Sequence, residues 1–149
     1  VRILVDADAL PGEAKRILFR AAERERIALT LVANQLLKVP TSDYLSAVQV
    51  GAGADVADDW IVENFEADDL VVTADIPLAA RVVDKGGRAL DPRGDLYTDG
   101  NVKERLALRN LMSELRGADM VQGGGPPPYT KKDLQRFATQ LNNYLTRRI

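Results

Sequence analysis

Asp6 and Asp8 stand two residues apart at the end of the apolar run Ile3-Leu4-Val5, and a third aspartate, Asp75, follows the run Leu70-Val71-Val72. If the first strand extends through both, the carboxylates of Asp6 and Asp8 leave the same face, because side chains two apart on a strand do so. Asp55 and Asp58 open the stretch between the two runs. Two ionised carboxylates about 4 Å apart repel by roughly 4 kcal/mol at an effective dielectric near 20, so a real cluster shares a proton, meets a basic side chain or holds a cation. The chain has no histidine and no cysteine, which removes the commonest general base, the thiolate nucleophile and the soft metal ligands. A cation is then the simplest answer, and oxygen donors select a hard one, magnesium or manganese. Held by two to four carboxylates from the candidates Asp6, Asp8, Asp55, Asp58 and Asp75, with Asp6, Asp8 and Asp75 as the catalytic set, such an ion activates a water and screens a phosphodiester, the logic of metal-dependent nucleases.

Each of these residues also has a plainer reading. Asp8 can cap the helix opened by Pro11, Asp75 can cap the one opened by Ile76-Pro77, and Asp55, Asp58 and Asp59 can be first-turn acids favoured by the helix dipole. Asp6 differs, because it sits just beyond a buried strand run, where a carboxylate is costly unless paired. Thr73 offers a strand-end hydroxyl to phosphate, or is a β-branched strand residue and nothing more. Lys38 and Arg93 lie in loops that the topology can bring to the same edge, and Arg105 and Arg109 share a helical stripe that can steer phosphate or simply be solvated. Trp60 falls on the apolar stripe of its helix and reads as packing.

The elements that must position these residues alternate along the chain. Arg2 to Val5 reads as a buried strand, Pro11 to about Arg26 as a helix with Ala14, Ile17, Leu18, Ala21 and Ala22 on one stripe, and Leu29 to Ala33 as a second strand. Asn34 to Ser46 is irregular, and Ala47 to Val50 is a third strand. Val56, Ala57, Trp60, Ile61 and Phe65 then form one face of a helix. Leu70 to Thr73 is the strongest strand, Leu78 to Lys85 is helical, and Arg88 to Leu90 returns to the sheet. A long helix from Asn101 to Arg116 carries Leu108, Leu111, Met112 and Leu115 on one stripe and Arg105, Arg109 and Arg116 on another, with Asn101 and Glu104 in capping-box spacing. Residues 119–129 form a Gly/Pro-rich loop before a last helix at 130–149, where Thr130 and Asp133 repeat the capping pattern. The alternation predicts one α/β domain over 1–149, with a mostly parallel central sheet covered by helices on both faces and helices at the C-terminal end.

Composition narrows the setting. At 149 residues and 46% apolar content the chain matches ordinary globular usage, with length for one proper core. No apolar run approaches the ~20 residues of a bilayer span, and Val1 to Val5 run into Asp6 without a basic leader, so a cytoplasmic protein with no membrane partner is expected. The net charge of −2 conceals an asymmetry: residues 1–100 carry 11 Lys+Arg against 18 Asp+Glu, and residues 101–149 carry 9 against 4. A basic final third after an acidic body can mark a phosphate-bearing partner or a solvated surface.

The blocks Val5-Asp6-Ala7-Asp8-Ala9, Leu31-Val32-Ala33-Asn34-Gln35, Asp55-Val56-Ala57-Asp58, Asp69 through Ala79 and Pro92-Arg93-Gly94 closely resemble the bacterial YaiI/YqxD family. The resemblance covers almost the whole chain, including Arg109 and the Gly-rich segment before the last helix. It implies a PIN-like (PIN/NYN) nuclease fold, in which acidic residues at the carboxyl edge of the sheet bind magnesium or manganese and cut RNA. Carried over, it implicates Asp6, Asp8, Asp55, Asp58 and Asp75 as the acidic site, with Asn34 and Arg93 along the edge. The chain departs from the family pattern at Leu10, where cysteine is usual before the proline, so no essential thiol acts there. Asp91 replaces an expected asparagine, which either adds a carboxylate near the site or is a neutral surface change. A haloacid-dehalogenase-type phosphatase is the alternative enzyme, with Asp6 as nucleophile, Asp8 as acid, and Thr73, Lys85 and Asp58-Asp59 in the remaining roles. A non-catalytic RNA-binding domain using the basic final third is the alternative outside enzymes.

Overall fold

The computed structural model describes residues 1–8, 10–53, 55–117 and 128–147. Among them the order is β1 (Arg2–Asp6), α1 (Gly12–Glu25), β2 (Ala28–Ala33), β3 (Leu45–Gln49), α2 (Val56–Asn64), β4 (Leu70–Val72), α3 (Ile76–Asp84), β5 (Arg88–Leu90), β6 (Leu96–Tyr97), α4 (Val102–Gly117) and α5 (Lys131–Arg147). The strands form a sheet of order β3-β2-β1-β4-β5-β6, parallel throughout except where β6 runs antiparallel to β5. The expected α/β architecture is therefore present, in a form consistent with a PIN-like fold.

The central strands are apolar without alternation because both of their faces are covered. From β1, Ile3 and Val5 pack with Ala14, Leu18 and Ala22 of α1 and with Phe137, Leu141 and Leu145 of α5. Leu4 points the other way and meets Val32, Val71, Ala57 and Ile61 of α2, and Leu78 and Val82 of α3. α4 lies outside this second layer, joined to it through Val102 against Ala79 and Val83. The pairing of β1 with β4 is pinned at its start by Asp69, which is 2% exposed. Its carboxylate accepts from the Arg2 backbone N–H at 2.9 Å, from Arg2 Nη2 at 2.7 Å and from the Glu66 N–H at 2.8 Å. A buried carboxylate tolerates that position only because it is paired and multiply bonded.

α5 begins as the spacing requires. The Asp133 N–H donates to Thr130 Oγ1 at 3.1 Å and the Thr130 N–H donates to Asp133 Oδ2 at 2.9 Å, a reciprocal capping box. Its buried Phe137, Leu141 and Leu145 each contribute about 1.5–3 kcal/mol of burial. Three details differ from expectation. The third strand starts at Leu45, two residues earlier than its apolar pattern indicates, because β2 fixes the register by pairing Leu29 with Leu45. Two-residue β6 carries too short a pattern to read. Asn101 does not cap α4 toward Glu104; its side chain accepts from the Thr98 N–H at 3.0 Å and donates to the Leu96 carbonyl at 2.8 Å, tying β6 to the helix start. Of the expected Gly/Pro-rich loop, residues 119–127 lie outside the described residues, as do residues 148–149 of the expected last helix. No described helix is long and apolar enough to cross a membrane.

Candidate active-site cleft

The chain leaves β1 through α1 to β2 on one side of the sheet, then returns from β3 through α2 to β4 on the other side of β1. Loops therefore diverge beyond the carboxyl ends of β1 and β4, and a crevice opens at this switch point. Asp6 is the last residue of β1, Asp75 follows β4 at the start of α3, Asp58 sits in the first turn of α2 and Asn34 follows β2. With Asp8, Arg109 of α4 and the apolar Leu10, Ala57, Ile76, Pro77 and Pro92, they line a cavity of about 500 Å³.

Thr73 joins the two strand ends. Its hydroxyl donates to Asp6 Oδ2 at 2.8 Å and accepts from the Asp75 N–H at 2.9 Å, with the residue 1% exposed. Asp75 caps α3 by accepting from the Leu78 N–H through Oδ1 at 3.2 Å, so the plainer reading of Asp75 holds together with its place in the cleft. Asp8 does not cap α1, whose N-cap is Pro11 without a side-chain bond. Its two oxygens instead lie 3.1 and 3.2 Å from the Asn34 N–H. Asn34 in turn donates through Nδ2 to the Gly51 carbonyl at 3.3 Å. Asp55 does not line the cavity and makes no side-chain cap, although it occupies the N-cap of α2.

The acidic side chains act on one another. Burial raises the Asp6 carboxyl above the usual range, Asp75 and Asp8 raise it further, and the Thr73 hydroxyl only partly opposes them. Asp58 is pushed up to about 6, first by burial and then by Asp75, Asp6 and Asp55, against a lowering by Arg81. None of Asp6, Asp8, Asp55, Asp58 and Asp75 has an ion-pair partner among the described residues, whereas Asp59, Asp69, Asp95 and Asp133 are each held by an arginine. As the side chains stand, no three acidic groups among the described residues converge tightly enough to enclose an ion. Asp6 Oδ1, Asp75 Oδ2 and both Asp58 oxygens accept no hydrogen bond from these residues.

Of the phosphate-binding candidates, Asn34 and Arg109 border the cavity. Thr73 lies beneath it, with its hydroxyl engaged by Asp6 and Asp75. Arg93 is turned toward α5, with Nη1 2.8 Å from Asp133 Oδ2 and its guanidinium 5.8 Å from the Tyr129 ring centroid. Arg105 pairs with Asp95 at 3.5 Å, and exposed Lys38 lies outside the lining. Asp91 is buried and accepts from the Arg93 N–H at 2.7 Å, which makes it a turn residue rather than a further cleft carboxylate. The apolar wall from Leu10, Ile76, Pro77 and Pro92 was not foreseen. Its one sequence signal is the proline at the first turn of α3, a position that proline favours for helix geometry alone.

The sequence profile described as "Uncharacterized BCR, YaiI/YqxD family" matches residues 4–147. A UPF0178 protein of Dechloromonas aromatica (strain RCB) is 54% identical over 147 residues, covering 99% of this chain and 97% of the relative. A UPF0178 protein of Shewanella baltica (strain OS223) is 52% identical over 146 residues, with 98% and 97% covered. One from Burkholderia lata is 54% identical over 147 residues, with 99% and 97% covered. No solved structure matches the chain.

Proposed function

This chain belongs to the YaiI/YqxD family, and from its cleft we propose that it is a divalent-metal-dependent nuclease acting on RNA phosphodiesters. The carrying observation is the set of mutually repelling carboxylates at the switch point, none of them paired with a cation among the described residues. Carboxylates gathered along one cleft, with Asp6 and Asp58 partly withdrawn from water, are unfavourable together unless a positive guest joins them. In kind the donors suit magnesium or manganese, since they are all hard oxygens, and Asp6, Asp58, Asp75 and Asp8, which as the side chains stand do not enclose an ion, would have to draw together to hold it. When bound, the ion supplies charge neutralisation and a more acidic water.

The chain's own groups do the rest. Thr73 occupies one oxygen of Asp6, a residue that lines the cleft, and leaves the other without a hydrogen bond among the described residues. Asn34 holds Asp8 through its backbone N–H. Arg109 supplies the cationic border that a phosphate needs. The phosphatase alternative lacks its ammonium: Lys85 follows α3, about 14 Å along the helix from the cleft end at 1.5 Å per residue, and donates to the Val62 carbonyl.

Manganese titration by calorimetry tests this reading. Saturable binding is expected for the wild type and should be lost in the Asp6→Asn/Asp75→Asn protein, with RNA cleavage that needs the same metal and the same two carboxylates. Absence of manganese binding in the folded wild type would overturn it, as would single-stranded RNA that binds the manganese-loaded wild type and is not cut.

A further inference from the structure

Among the described residues, α4 is anchored through Val102 against Ala79 and Val83. Val102 is its buried residue, whereas Leu108 and Leu111 are 54% and 50% exposed. At 3.6 residues per turn these two share a stripe with half-buried Met112 and Leu115, and Arg105, Arg109 and Arg116 form the stripe beside it. Arg105 is engaged by Asp95. Arg109 bonds its neighbour Asn110, and Arg116 has no ion-pair partner among the described residues. An apolar stripe of this kind, flanked by unneutralised arginines, calls for an occupant that is both apolar and anionic.

A second copy fits poorly. In a two-fold antiparallel pairing of α4 across Leu108 and Leu111, each flank meets its own counterpart, so the arginine flank would face another arginine flank. Single-stranded nucleic acid fits both stripes, offering base faces to the leucines and phosphates to the arginines; a duplex hides its base faces. We propose that the exposed face of α4 binds single-stranded RNA, with bases over Leu108 and Leu111 and phosphates on Arg109 and Arg116. The strand then continues into the cleft, because Arg109 belongs to both surfaces. The inference rests on the reading of that cleft as a phosphodiester site.

Fluorescence anisotropy with a labelled oligouridylate, in EDTA and over a salt series, tests it on the full chain. Arg116→Ala should lower the slope of log affinity against log salt by about 0.7, the loss of one phosphate contact on a single strand. Leu108→Ser should weaken binding several-fold without changing that slope, and a base-paired hairpin should bind more weakly than the single strand. Unchanged affinity and slope in both variants would overturn the proposal. So would sedimentation showing a wild-type dimer that Leu108→Ser splits, which would assign the face to a second copy. Manganese calorimetry on the same preparations separates the failures: saturable manganese with RNA binding indifferent to α4 refutes the α4 path alone, and absent manganese binding removes the cleft reading on which it stands.

Discussion

Thr73 contributes a single hydroxyl, donated to Asp6 and accepting from the Asp75 N–H, and this connects the ends of two neighbouring strands. Removing it while preserving shape leaves a buried acceptor and a backbone donor unpaired, a loss of about 1–3 kcal/mol. Thr73→Val should therefore unfold at lower urea and bind manganese about 10–100-fold more weakly, as losses of supporting hydrogen bonds to metal ligands do. Thr73→Ser retains the hydroxyl and should recover the affinity, which separates positioning from simple packing. At Asp58 the sign of the pH effect follows from a carboxyl raised to about 6 in the fold. The folded state prefers the protonated form, so this group does not oppose folding at pH below about 4, its unfolded range, and stability is lost as pH rises through 4 to 6. In EDTA, Asp58→Asn should be more stable than wild type at pH 7.5, on the order of 1 kcal/mol after solvent screening, and should match it near pH 4. Urea unfolding at the two pH values measures this. A difference that grows toward acid pH would show that Asp58 is not a repelled carboxylate.

At the scale of elements, the cleft depends on how tightly the turn after β5 sits against α5. Gly94 adopts φ +99, and a Cβ there would lie 2.7 Å from Arg136 Cβ and 2.9 Å from the Arg136 carbonyl carbon. The same turn is held by Arg93 to Asp133 and by the Tyr129 hydroxyl, which donates to the Pro92 carbonyl at 2.7 Å, while Pro92 lines the cavity. Gly94→Ala combines backbone strain with overpacking and should cost at least about 1–3 kcal/mol, with α5 the first region to lose hydrogen-exchange protection. Uniform loss of protection across the sheet would show instead that α5 is not the element released. These elements also mark what was legible in the sequence. Continuous apolar runs disclose β1, β2 and β4, and the Thr130–Asp133 spacing discloses the start of α5, because in both cases the signal is local. The partners of Arg93 and Asp91 were illegible, because they come from residues about 40 positions away or from a turn whose geometry depends on α5. For the acidic set, strand ends indicated that Asp6 and Asp75 share an edge, but not that the Thr73 hydroxyl bonds to both. Nor did the leucine stripe of α4 reveal that it faces solvent, since periodicity records a stripe and not what covers it.

For the whole molecule, residues 1–100 are acidic in sum and residues 101–149 basic, and the cleft in the acidic part is lined by carboxylates without an ion-pair partner among the described residues. A ligand that binds only the folded state stabilises it by mass action, by about 2.7 kcal/mol at one hundred times its dissociation constant. For a domain of this size each kcal/mol shifts the unfolding midpoint by about 2–4 °C. Saturating manganese should therefore raise Tm by about 5–10 °C, and EDTA should reverse it. The Asp6→Asn/Asp75→Asn protein should already melt higher than metal-free wild type, because two repelling charges are gone, and should gain nothing from the metal. That opposite pair of effects distinguishes a built ion site from general salt stabilisation, which would raise both proteins alike. An equal manganese-induced shift in the two, followed by scanning calorimetry, would mean that the cleft carboxylates are not where the cation binds.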